Sequence, residues 1–354
     1  MRYIKEYIKR ILSFIKINFG NKERIINYEK KNIYIFLAAD YRNMGDVAIT
    51  YAQKNFLKDY FSDFNIIEIP AEKTISYIYD IKKHIKKDDI ITLVGGGNMG
   101  NIYEYYENLR RLVIRTFKNN MIISFPQTID FTNDKDGEFS MTLSSKVISN
   151  HKNIVIFARE ENSYNIMKNT FECPVFLAPD IVLYLINDKK IINNNIRKNV
   201  GACFRNDKEK SKLSLEITNS IINNISNIEY FTTYLDEDKF KYDKRYDILI
   251  SLIKRISTFD YVITDRLHAM IFSFLTNTRC YFIDNSNNKI SQTKKTWLSK
   301  SNNIIEIKNK EDIRCIVNKK EKNGEEILLN LNNEFEKMKN IIISYYRGKE
   351  VKNG

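Results

Sequence analysis

Residues 261–268 read Tyr-Val-Ile-Thr-Asp-Arg-Leu-His, and residues 269–275 continue Ala-Met-Ile-Phe-Ser-Phe-Leu. The first half is β-branched and aromatic, which predicts a short buried strand ending at Thr264-Asp265. A helix opening with Arg266 and His268 follows it. A helix N-terminus presents free N–H groups and partial positive charge. Arg266 adds a full cation there, so phosphate or carboxylate is the expected guest. His268 is one of three histidines, with His84 and His151, and an imidazole can move protons near neutral pH. Strand end, helix start, arginine and histidine together predict an enzyme acting on an anionic substrate.

Outward from this stretch, strands and helices alternate from Asn32 onward. Strands are predicted at 33–38, 66–69, 89–94, 121–125 and 154–158. Helices are predicted at 45–60, 74–86, 103–119, 143–150 and 161–171. An Asn- and Lys-rich segment at 186–198 separates the halves. Beyond it, strands are expected at 200–204, 228–233, 260–264, 279–283 and 304–307. Helices are expected at 211–224, 243–258, 265–276 and 291–299, with a long last one at 325–346. Such alternation predicts parallel sheet covered by helices. The fold class is α/β, with two Rossmann-like domains facing a cleft. The site is then expected at the C-terminal ends of strands. The division is an amphipathic helix at 1–20, a first domain at 21–186, a second at 187–325, and a C-terminal helix and tail at 326–354.

The composition agrees with a folded protein: 43 % apolar and 29 % charged residues in 354. The net charge of +13 would suit nucleic acid, an anionic membrane or phosphorylated substrates. The lysines are scattered and no nucleic-acid motif is present, so nucleic acid is not an expected partner. The cysteines at 173, 203, 280 and 315 lack metal or redox spacing. No metal site is expected, and reduced thiols point to the cytoplasm. No apolar run is long enough to span a bilayer. Residues 2–19 place Ile4, Ile8, Ile11, Leu12, Ile15 and Phe19 at helical spacing, with Lys5, Lys9, Arg10 and Lys16 elsewhere. This is either a helix lying on an anionic membrane or one packed on the protein's own body.

The remaining candidates fall at predicted strand ends. Asn43-Met-Gly45-Asp46 precedes a helix; Asp46 is its N-cap or, with Asn43, a ligand for sugar hydroxyls. Gly95-Gly96-Gly97-Asn98 is a tight turn or a loop that lets backbone approach a ligand. Pro126-Gln127-Thr128 offers a carboxamide for a sugar hydroxyl. Arg159 either neutralises a substrate anion or pairs with Glu160. Asp180 caps or orients, and Arg205 is a weaker anion candidate. His84 and His151 are expected to be solvated.

In this order the pieces resemble the polysaccharide pyruvyltransferase family, in its exopolysaccharide branch. The matching stretches are Asn43-Met-Gly-Asp-Val-Ala-Ile49, the Gly-Gly-Gly-Asn98 turn, Phe125-Pro-Gln-Thr128, Ala158-Arg-Glu160 with Ser163, Ala178-Pro-Asp180 and Thr264-Asp-Arg-Leu-His268. The segment from Cys280 through Lys289 to Thr296-Trp297-Leu298 also matches. Ala269 stands where glycine is common in the family, and Asn-Met-Gly-Asn follows the three glycines where acidic residues are common, with Glu104 the first acid after them.

The resemblance implies a GT-B-like fold, phosphoenolpyruvate as donor, no cofactor, and a pyruvate ketal on a sugar of a surface polysaccharide, capsule or lipid-linked precursor. It implies Arg159 and Arg266 as anion clamp and His268 as general acid. Asp265 and Leu267 would line the substrate. The acceptor would lie near Asn43, Gly45, Asp46, Gly97 and Gln127. A GT-B glycosyltransferase and a non-catalytic sugar-binding protein of the cell envelope are the competing readings.

Overall fold

A computed structural model describes residues 30–191, 197–205, 211–224, 227–285, 287–309, 312 and 331–348. The N-terminal segment 2–19, with its predicted helix, lies outside these residues.

Strand β1, Lys31–Ala38, is buried on both faces after its first residue. Such a continuous apolar run suits the middle of a parallel sheet. It pairs in parallel with β2, Phe64–Pro70, and β3, Ile90–Leu93. The sheet continues through β5, Met121–Ile129, and β6, Ile154–Ala158, to β7, Val175–Leu177. A short strand β4, Gly96–Met99, pairs with the far end of β5. The second sheet holds β8, Val200–Cys203, β9, Ile228–Tyr230, β10, Tyr261–Thr264, β11, Arg279–Phe282, and β12, Ile304–Glu306, in the order β12-β11-β10-β8-β9. Each sheet reverses its strand order once, between β1 and β3 and between β8 and β10. Ligands in open α/β sheets bind at the carboxyl ends of strands at such a switch point.

Helix α1, Met44–Tyr60, follows β1, and α2, Thr74–His84, follows β2. Helices α3, Glu104–Thr116, α4, Lys135–Ser149, and α5, Glu161–Thr170, complete the first half. The second half carries α6, Lys212–Asn224, α7, Arg245–Ile256, α8, Leu267–Leu275, and α9, Lys289–Trp297. Within α8 only His268 escapes full burial, because the helix is apolar on every face.

The final helix α10, Asn332–Tyr346, crosses back to the first half. Phe335 packs on Phe56 and Tyr184, Tyr345 on Phe176, and Tyr346 on Phe64. The tail helix therefore closes the first domain's core.

Three differences from the sequence reading have clear causes. Strand β5 does not stop at Phe125 but runs through Pro126 to Ile129. Its register with β6 shifts between Ser124 and Gln127, and a proline without an N–H is tolerated at such an irregularity. Helix α4 begins at Lys135, well before Leu143, because Asp134 caps it by accepting from the N–H groups of Asp136 and Gly137. His151 is buried, not solvated: its Nε2 lies 3.0 Å from the Phe117 carbonyl, and Nδ1 accepts the Asn153 N–H.

Two of the contacts between the halves are seams of hydrogen bonds and charge. At one, the loop after β1 and the segment after β9 bond like strands. Met44 N donates to the Thr233 carbonyl at 2.7 Å, and Leu235 N to Arg42 at 3.0 Å. At the other, Arg245 of α7 pairs with Glu68 of β2, which also accepts from Tyr246 and Lys54. These charges hold the Glu68 carboxyl below its usual range despite its burial.

Candidate active site

Asn43 caps α1, its side-chain oxygen accepting the Gly45 N–H at 3.0 Å. That oxygen is thus committed to the helix, and Asp46 is not the cap but a first-turn residue. Gly45 faces α8. A Cβ built on it would overlap His268 Nδ1 and stand 2.7 Å from its Cγ. Only glycine allows the two helix starts, one from each half, to close on each other.

His268 has a second neighbour from the first half. Its Nε2 stands 3.7 Å from Asp180 Oδ2, an ion-pair contact too long for a hydrogen bond. Asp180 Oδ1 accepts the Val182 N–H at 3.0 Å, and Oδ2 accepts Arg159 Nη1 at 3.0 Å. Burial would raise its carboxyl, but His268 and then Arg159 overcome this and hold it at about 2. Asp180 is therefore a permanent anion between an arginine and the histidine.

Arg159 itself is 1 % exposed. Its Nε donates to Thr128 Oγ1 at 2.6 Å, and Thr128 donates to Glu160. The Glu160 carboxylate also accepts from Ser163, and burial raises its pKa. The Arg159 carbonyl accepts the Trp297 indole N–H at 2.6 Å, a bond that crosses the halves. So Arg159 pairs with acids as well as facing the glycine loop: its Nη2 would lie 3.1 Å from a Cβ at Gly97. Lys289 Nζ of the second half would lie 3.9 Å from the same point. Two cations from different halves thus converge on Gly97.

Asp46 borders this place, its Oδ1 3.7 Å from the point where Gly96 would carry a Cβ. Burial raises its carboxyl, against the pull of His268, the Tyr41 hydroxyl, Arg159 and Lys289. The loop is shaped from below. Gly96 has φ 123°, reserved for glycine, and Gly95 sits under the Pro126 carbonyl.

Asn98 points away from the cleft: its side-chain oxygen accepts Arg110 Nη2 at 2.5 Å. Arg110 pairs with Glu107, which accepts the Gly100 N–H and the Ser144 hydroxyl. This buried network was absent from the sequence reading. An i, i+3 acid–base pair looks like a solvated helix face.

The other expected site residues serve the frame. Gln127 is fully buried and donates to the Val94 carbonyl, beneath the glycine loop. Asp265 accepts the Arg205 N–H at 2.7 Å and the Ser214 hydroxyl at 2.5 Å, bracing the second sheet. Leu267 is core, 3 % exposed. Arg266 stands at the N-cap position of α8 without a side-chain capping bond; its Nε is buried without a partner, and its charge acts on Asp265 and Cys203. Lys289 joins Arg159 at the glycine loop. Lys289 lies in a stretch that matches the family, but in a lysine-rich chain its charge alone does not single it out. A cavity of about 180 Å³ opens beside Lys289, lined from both halves by Thr128, Asp130, Glu160, Asn287 and Gln292.

Two α/β halves with an acid–histidine–arginine cluster between them make a two-domain, GT-B-like protein. Comparison with known proteins supplies the family. Residues 43–287 match the family described as polysaccharide pyruvyl transferase. The chain belongs to that family and is a transferase.

It is 33 % identical over 299 residues to general stress protein 30 of Bacillus subtilis, covering 82 % of this chain and 84 % of that one. It is 27 % identical over 293 residues to pyruvyl transferase 1 of Schizosaccharomyces pombe, covering 76 % and 70 %. In fold it resembles the UDP-GlcNAc 2-epimerase of Methanocaldococcus jannaschii, with a TM-score of 0.51 at 14 % identity, over 89 % of this chain and 99 % of that one. The fold is GT-B-like. Among the described residues, no helix is long and apolar enough to cross a membrane.

Proposed function

We propose that this chain transfers the pyruvyl group of phosphoenolpyruvate to two hydroxyls of one sugar in a bacterial surface polysaccharide or its lipid-linked precursor. The observation that carries the reading is the convergence of Arg159 and Lys289 on Gly97, beside His268 and Asp46. The donor has a carboxylate and a phosphate, which asks for more than one cation. In this reading the two cations hold it over the glycine loop.

His268, seated on Gly45 and oriented by Asp180, protonates the donor's methylene carbon. Positive charge develops on the adjacent carbon and is taken by a sugar hydroxyl. Asp46 accepts that hydroxyl's proton, its raised pKa suiting a base that must later give the proton back. A second hydroxyl then displaces phosphate, which leaves with the second proton. One donor and two hydroxyls become one ketal and inorganic phosphate, with no water consumed.

The reading also includes peripheral docking at the inner face of an anionic membrane through Lys5, Lys9, Arg10 and Lys16, each worth roughly 1 kcal/mol. Incubating the protein with phosphoenolpyruvate and a panel of sugar acceptors tests the chemistry. Phosphate release coupled to a ketal-bearing product supports it; release without sugar modification rejects it. Flotation with anionic and neutral liposomes, for full-length and residue 20–354 protein, tests the docking.

A further inference from the structure

Among the described residues eight large apolar side chains are substantially exposed, and five of them are tyrosines. Three of those five border one loop, Asp40–Arg42, between β1 and α1. Tyr105, 53 % exposed, packs edge-on against Tyr106 at 5.4 Å. Tyr106 packs on Tyr41 at 5.5 Å. The Tyr41 hydroxyl lies close enough to Asp46 to act on its carboxylate. Aromatic surface therefore runs without a break from the catalytic cluster to solvent.

The second half supplies the opposite bank. Tyr234, 46 % exposed, covers Arg42 at 5.3 Å, and Tyr242 is held by the Arg245 guanidinium at 3.8 Å.

Asp40 lies between these banks, and its charge reaches Tyr105, Tyr106 and Tyr242. Its Oδ2 accepts the Glu72 N–H at 2.9 Å. Its Oδ1 is buried and has no hydrogen-bond partner of good geometry; the Asp40 N–H acts on the carboxylate from its own backbone. An acceptor so placed is satisfied when a bound partner brings a hydroxyl or an N–H to it. Tyrosine offers an apolar face with a polar tip, which suits a partner that is apolar on its ring faces and hydroxylated at its rim. A sugar ring has that chemistry. Asp40 and Glu72 stand here beside Arg42 and Arg245, so neither sign of charge is in excess, which suits a neutral partner.

We propose that the tyrosine-lined surface from Tyr41 to Tyr105, with Asp40 and Tyr234, binds neutral sugar units of the acceptor that adjoin the unit being modified. The inference rests on the pyruvyl-transfer reading for the identity of the bound glycan as acceptor. Its consequence is that the enzyme acts on an oligosaccharide and not on a free monosaccharide.

The test is direct binding by full-length protein to defined neutral oligosaccharides of two to four hexose or N-acetylhexosamine units, each paired with its own terminal monosaccharide. The wild type binds at least one oligosaccharide about tenfold more tightly than its monosaccharide. Tyr105→Ala and Asp40→Asn each remove that difference; Tyr105 is exposed, so its variant folds. Three results overturn the proposal. They are equal binding of oligosaccharide and monosaccharide throughout the panel, unchanged preference in both variants, or a self-association in sedimentation velocity that Tyr105→Ala abolishes. Oligosaccharide binding that survives while phosphoenolpyruvate yields no phosphate sinks the transfer reading and leaves the glycan surface standing.

Discussion

Gly45 and His268, 223 positions apart, touch so closely that a single methyl group on Gly45 would overlap the imidazole. One opens α1 of the first half and the other opens α8 of the second. The contact makes Gly45 a test of the site that leaves every charged group in place. Gly45→Ala should push the ring aside by a fraction of an ångström to an ångström. Displacement on that scale costs about 10²-fold in turnover. Phosphate release assays should show this loss together with a lower unfolding midpoint, because the added methyl also crowds the His268 Cβ where the halves meet.

His268→Ala should leave the fold intact and lower turnover by about 10²–10⁴. The side chain is 14 % exposed and ends in a polar cleft, so its loss opens no apolar cavity. A folded variant with wild-type turnover removes His268 from the mechanism.

Asp180 predicts the acid stability of the chain. Its folded pKa, about 2, lies below the unfolded value near 4. Its contribution is therefore fully present above about pH 4 and is lost as pH falls through about 2; at neutral pH it amounts to roughly 2–3 kcal/mol. Asp180→Asn should be less stable at neutral pH, where Arg159 loses its counter-charge. The gap to wild type should close as pH falls towards 2. Urea midpoints measured between pH 2 and 6 would show whether the curves converge.

Trp297 is the only tryptophan of the chain and bonds to the Arg159 carbonyl across the two halves. Its emission should shift when phosphoenolpyruvate binds, and the shift should saturate. Arg159→Lys should abolish it, because a lysine cannot reproduce the contacts to Thr128 and Asp180. A saturable shift that persists in Arg159→Lys would place the donor elsewhere.

Glu68 joins the halves on the far side, where Arg245 and Lys54 share its carboxylate. Glu68→Gln leaves a buried guanidinium without its anion, though still over the Tyr242 and Tyr246 rings. Losing one partner of such a pair costs about 3–5 kcal/mol. A lower urea midpoint with a reduced slope would mean that the halves no longer unfold together.

Local pattern was enough to read most of the scaffold. Alternating strands and helices, apolar on the faces that parallel sheets bury, are visible from Asn32 to Glu306. The glycine run, Arg159, Asp46 and His268 were legible because each stands at a strand end. Other elements left weaker marks. Helix α4 starts with polar residues, and its cap at Asp134 reads like any loop acid. His151 is flanked by polar residues in sequence, yet the Phe117 carbonyl that buries it comes from 34 positions away.

The sequence by itself determined which segments are strand or helix, because side-chain periodicity and backbone preferences act over a few residues. It also determined the family, through short motifs in a fixed order. Only the tertiary structure decided who stands beside whom. It set Lys289 next to Arg159, placed Asp180 between arginine and histidine, and buried Glu107 and Arg110 beneath the glycine loop. The reason is physical. Charges act through distance and dielectric, and both are fixed by how two sheets close on each other, not by separation along the chain.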